Sequence, residues 1–121
     1  MRITKNFRVE EFECPCCGGI LDTLAFRNFV VKLQDARDTS GIPFVITSGY
    51  RCFRHNKRIG GNSDSSHLKG IAADILTRTS SERYFILKSL IKAGFNRIGI
   101  GKNYIHADLD TDKPQFLIWT Y

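Results

Sequence analysis

A chain of 121 residues, 42% hydrophobic and 25% charged, fits one compact α+β domain spanning residues 1–121 with its own apolar core. No apolar run approaches the ~20 residues needed to cross a bilayer, which excludes a transmembrane helix. The net charge of +6 draws the surface toward polyanions such as nucleic acid, an anionic cell wall or a membrane.

Met1 to Phe12 carries basic residues but no apolar h-region. No secretory signal is therefore expected, and synthesis in the cytoplasm is; action outside would need another agent to release the protein. Phe7, Val9 and Phe12 are expected to anchor an irregular opening segment on the core. Asp22 or Thr23 caps a helix that runs to about Thr39, with Leu24, Phe29, Val30, Leu33 and Ala36 at helical spacing. Gly41 and Pro43 end it. Phe44–Thr47 reads as a short strand, followed by a long polar loop from Ser48 to Ser66. Loops of that length inside a small domain are usually functional. Ile71–Leu76 reads as a second strand. Thr79-Ser80-Ser81-Glu82 is a capping box that opens a helix to about Ala93, with Phe85, Ile86, Leu90 and Ile91 on one face and Gly94 as its stop. Three short strands close the chain, near Arg97–Ile100, Tyr104–Leu109 and Phe116–Trp119, with Phe116 and Trp119 assigned to the core. This order predicts helices packed on one side of a mainly antiparallel sheet.

The basic residues are scattered and become dense only from Arg51 to Arg58. Without a helix-turn-helix or an aromatic RNA-binding motif, a solvated basic face is expected, not dedicated nucleic-acid binding. Four cysteines occur, at positions 14, 16, 17 and 52. They lack the two paired Cys-x-x-Cys spacings of ribbon sites, and adjacent Cys16 and Cys17 reach one ion together only with difficulty. Buried or partly buried thiols are the expectation, with a structural zinc on several of them as the alternative.

The chemistry is carried by three residues. His67 ends the polar loop, Asp74 interrupts an apolar strand between Ala73 and Ile75, and His106 lies in a later strand. A buried carboxylate is costly unless it is paired or bound to a cation. Two imidazoles and one carboxylate suit a zinc ion that keeps an open coordination position. Taken alone, the spacing also permits a loop histidine, a turn-capping aspartate and a satisfied strand histidine.

Ser48-Gly49-Tyr50-Arg51, then Ser65-x-His67-x-x-Gly70-x-Ala72-x-Asp74, then a strand with His106, resembles the LAS zinc peptidases. That group includes D-alanyl-D-alanine carboxypeptidases and phage L-alanyl-D-glutamate endopeptidases. The likeness extends to Asn6-Phe7…Glu11-Phe12-x-Cys14 and to Gly99-Ile100…His106-x-Asp108, and is greatest to the small phage and prophage branch. It implies a hedgehog/D-Ala-D-Ala peptidase-like fold, Zn2+ on His67, Asp74 and His106, and hydrolysis of peptidoglycan stem peptides by a monomer in phage lysis or wall remodelling. A wall-peptide binding module that keeps zinc without cleaving is the alternative. The resemblance also implies that Arg51 steadies an oxyanion or a substrate carboxylate, and that Ser48 hydrogen-bonds nearby or holds the loop. Relatives often carry an acid three residues before the last histidine, where this chain has Asn103. Asp108 shares a strand face with His106 and Tyr104 and is the expected replacement base, or else an orienting partner of His106. Tyr104 is a candidate donor to substrate. Asp110 and Asp112 are expected in a turn.

Overall fold

The computed structural model describes residues 1–121. A 3-10 turn at Val9–Phe12 precedes helix α1 (Leu24–Ser40), strand β1 (Ile46–Ser48) and helix α2 (Phe53–Arg58). A second 3-10 turn (Ser66–Lys69) leads into β2 (Ala72–Leu76), α3 (Ser80–Lys92), β3 (Arg97–Ile100), β4 (Tyr104–Asp108) and β5 (Leu117–Thr120). The sheet order is β1-β2-β4-β3-β5, antiparallel throughout except for the parallel β3–β5 pair. The fold is the α+β architecture expected from the chain. No helix is long and apolar enough to cross a membrane.

Both long helices begin where their caps predict. The Thr23 hydroxyl accepts from the Phe26 N–H, and the Thr79 hydroxyl from the Glu82 N–H. Gly41 closes α1 in the left-handed conformation. Phe26, Phe29, Val30, Leu33 and Ala36 of α1 meet Ile86 and Leu90 of α3 in one core with Phe7 and Phe12. The sheet contributes Ala73, Ile75, Ile98, Ile105 and Ala107 to the same core. Strand alternation sends the intervening residues, Asp74 and His106 among them, to the opposite face.

Several expectations are corrected. The loop after Ser48 contains α2, whose only buried residue is Asn56. Phe85 and Ile91 of α3 are exposed, and Ser89 takes the buried position beside Leu90. Leu24 is exposed at the start of α1. Phe116 is 87% exposed, with φ 61°, and lies outside the core, in the turn that precedes the edge strand β5.

Candidate metal centre

Three elements bring the candidate ligands together. The β2–β4 ladder pairs Asp74 directly with His106, which sets the two side chains adjacent on one sheet face. His67 comes from the 3-10 turn immediately before β2. That turn is capped by Ser65, whose hydroxyl accepts from the His67 N–H, and it ends at Gly70 with φ 72°. A left-handed residue there reverses the chain into β2 within two residues, and glycine adopts that conformation without strain.

Asp74 Oδ1 lies 3.0 Å from His106 Nδ1 and 3.3 Å from His67 Nε2. One ligand atom from each of the three residues falls within 4.8 Å of the others. Bonds of about 2.0–2.1 Å in a tetrahedral arrangement place ligand atoms roughly 3.3 Å apart, so these separations suit zinc. The outward nitrogens are fixed as well. His67 Nδ1 sits 2.7 Å from the Gly49 carbonyl, which can only accept, so this nitrogen carries the proton and Nε2 keeps its lone pair. His106 Nε2 lies 2.7 Å from Asp108 Oδ2. Imidazoles held by a carbonyl or a carboxylate on the far nitrogen are the usual support of a metal site. The residues therefore fit the ion.

Electrostatics follow from this packing. Burial opposes the charge on Asp74, but hydrogen bonds from His106 and His67 outweigh it and hold its carboxyl well below the usual carboxylate range. Burial lowers the proton affinity of His67. His106 is also buried, yet the hydrogen bonds to Asp108 and Asp74 overcome this and raise its pKa.

Asp108 is fully engaged. Its Oδ2 takes His106, while Oδ1 accepts from Arg97 Nε at 2.8 Å and from the Asp110 N–H at 3.0 Å. It is 1% exposed. Both of its oxygens are thus occupied by partners within the protein. Asn103, at the position where relatives often carry an acid, is exposed in the β3–β4 turn, with its carbonyl bonded to the Thr77 N–H.

Arg51 projects over the centre. Nη2 approaches Asp74 Oδ2 at 3.4 Å, Nη1 approaches Asn56 Oδ1 at 3.4 Å, and Nε donates to Ser48 Oγ at 3.1 Å. Ser48 thus holds Arg51 and is not among the residues lining the cleft. The cleft above the ligands has a volume of about 480 Å³, and its walls include Arg51, Asn62, Tyr104, Lys113, Trp119 and Tyr121. Tyr104 lines the same cleft as the three candidate ligands. Trp119, expected in the core, lines this cleft with its ring centroid 5.5 Å from that of His106 and the Arg97 guanidinium 5.1 Å from its own. Burial pushes the neighbouring Tyr121 hydroxyl up to about 12, so it remains a donor at neutral pH.

A family model described as Peptidase M15 matches residues 5–108, most of the chain and all of the centre. The chain belongs to the peptidase M15 family. No curated protein matches it. M15 peptidases are typically zinc-dependent, and His67, Asp74 and His106 are the candidate residues for that ion in this member.

Two residues that support the M15 site escaped the sequence reading. Asp110, expected in an open turn, is 1% exposed; it accepts from Ser66 Oγ at 2.7 Å and Lys69 Nζ at 2.9 Å. It ties the turn bearing His67 to the segment after β4. Arg97 binds both Asp108 and the Pro114 carbonyl. The signal for Asp110 was the alternation His106-x-Asp108-x-Asp110. Nothing in the local pattern marks Arg97.

Proposed function

We propose that this M15 peptidase hydrolyses a peptide bond in the stem peptides of bacterial peptidoglycan, in phage lysis or wall remodelling. The observation that carries the reading is the convergence of His67 Nε2, His106 Nδ1 and Asp74 Oδ1 beneath an open cleft. An ion held there supplies Lewis acidity to a scissile carbonyl and makes water nucleophilic near neutral pH.

The chain's own residues supply the rest. His67 and His106 present lone pairs because Gly49 and Asp108 take their other nitrogens. Arg51, braced by Ser48 and Asn56, places a fixed positive charge beside the ligands, where an oxygen gaining negative charge is stabilised. Tyr104 and Tyr121, whose centroids lie 5.5 Å apart, offer hydroxyls along one wall. Lys113, on the rim, and Arg51 suit a substrate rich in carboxylates, as stem peptides are.

A second reading, a wall-peptide binding module, has one observation in its favour. The only carboxylates lining the cleft are Asp74 and Asp108, and both are already engaged. Incubating the purified protein with peptidoglycan separates the two. The enzyme releases new amino termini and a chelator stops the release; the module binds the wall and releases none. Mass spectrometry of the products names the bond.

A further inference from the structure

Outside the cleft, one group of side chains has no place in the chemistry above. Cys14, Cys17 and Cys52 bring their sulfurs within 4.8 Å of one another, although Cys52 lies far along the chain from the other two. All are free thiols, and Cys14 is completely buried.

The local backbone is built around these sulfurs. Cys14-Pro15-Cys16-Cys17-Gly18 folds as a tight turn, with the Gly18 N–H on the Cys14 carbonyl at 2.7 Å, the Cys14 N–H on the Gly19 carbonyl at 2.8 Å, and Gly18 at φ 68°. The Cys52 N–H reaches Cys14 Sγ at 3.4 Å. Cys52 Sγ accepts from the His55 N–H at 3.4 Å. Two of the three sulfurs therefore receive a backbone hydrogen bond. Such an arrangement suits thiolates, because an electron-rich sulfur is what an N–H stabilises.

We infer that Cys14, Cys17 and Cys52 form a second metal site, structural in kind, that takes a thiophilic divalent cation of the zinc class. Soft sulfur donors select such ions, and a Cys-x-x-Cys turn completed by a distant cysteine is a common way to hold them. The pair expected to compete for one ion, Cys16 and Cys17, does not do so. Cys17 joins Cys14, while Cys16 turns toward a surface hollow that it lines with Cys17, Cys52, Phe53 and Arg54. That hollow gives the ion an entry path and a fourth position open to water or to Cys16. On binding, three thiols release three protons to solvent, and three thiolates with a divalent ion leave a net charge of minus one beside Arg54. A single disulfide would pair two of the sulfurs and strand the third.

The site clamps the opening segment onto the chain that bears Arg51. Cys52 follows Arg51 directly, and the Tyr50 N–H is already bonded to the Phe12 carbonyl at 2.9 Å.

Metal content of the intact protein, purified under reducing conditions and zinc-loaded, tests this independently of hydrolysis. Two zinc equivalents per chain are expected, falling to one in Cys52→Ser and in His67→Ala, and staying at two in Cys16→Ser. With cobalt in place of zinc, the wild type and His67→Ala should both show intense sulfur-to-metal charge-transfer absorption in the near ultraviolet. Cys52→Ser should lose it. The cobalt spectrum of the wild type stands even if a serine variant misfolds. The inference is overturned if that absorption is absent while all four thiols react rapidly with a thiol reagent. A Cys14–Cys17 or Cys14–Cys52 disulfide persisting in the reduced preparation also overturns it. Loss of the His67-dependent equivalent alone would sink the catalytic reading and leave this one standing.

Discussion

Asp108 Oδ2 lies 2.7 Å from His106 Nε2, on a side chain two residues further along the same strand. The pair shares a face because strand residues alternate, and the carboxylate fixes which imidazole nitrogen stays protonated. Asp108→Asn removes the charge and half of the accepting capacity toward His106 and Arg97. We expect zinc affinity to fall about 10- to 100-fold, measured by chelator competition, with hydrolysis falling in parallel. Unchanged affinity with lost turnover would instead identify Asp108 as the proton acceptor.

Arg51→Ala should keep the ion and lose about 100- to 1,000-fold in kcat, because the charge near the developing oxyanion goes while the ligands stay. Arg51→Lys should rescue little. An ammonium on a flexible stem cannot contact Ser48, Asn56 and Asp74 together as the planar fork does. Steady-state kinetics beside metal analysis checks both variants.

The ion and a proton compete for His106 Nδ1. In the metal-free protein the pKa of His106 is raised above 6.5 through Asp108 and Asp74, against burial. A raised folded value means that the stabilisation from this proton is complete below the unfolded pKa and is lost as pH rises through the folded one. His67, lowered by burial, carries the opposite sign: below its unfolded value, protonation of the unfolded chain costs stability. Thermal melts of metal-free wild type and His106→Gln between about pH 5 and 8 should converge as pH rises. Over the same range the zinc-loaded wild type should gain stability relative to its metal-free form.

Gly99 pairs with both His106 and Trp119. A Cβ there would stand 2.6 Å from Trp119 Nε1. Gly99→Ala should displace the indole from the cleft wall, costing about 1–3 kcal/mol by overpacking and raising KM more than it lowers kcat. Denaturant melts and kinetics check the two parts.

Much of this was legible in the chain because the signals were local. Thr23 and Gly41 bracket α1, and Thr79 with Glu82 opens α3, as capping chemistry dictates. Asp74 stood out as an acid in an apolar strand. Helix α2 was not legible, since six residues with an exposed Phe53 and one buried asparagine make no apolar stripe. The exposure of Phe85, Ile91 and Phe116 depended on where the sheet ends and what covers it, which residue type alone does not encode. Arg97, Asp110 and the sulfur cluster arise from contacts between distant segments. For the cysteines, the Cys14-x-x-Cys17 spacing was present in the chain, and its meaning came only with Cys52 beside it.

The cross-strand match of Asp74 to His106 also acts as a proofreading device. The ladder that aligns them pairs Ile75 with Ile105 on the other face. Sliding one strand by a single position would drive a carboxylate into oil and push isoleucine into the cleft, so mispairing is penalised on both faces at once. A chain that has not settled its register therefore does not bring Asp74 and His106 side by side, so the candidate centre and the sheet's apolar face come into being together.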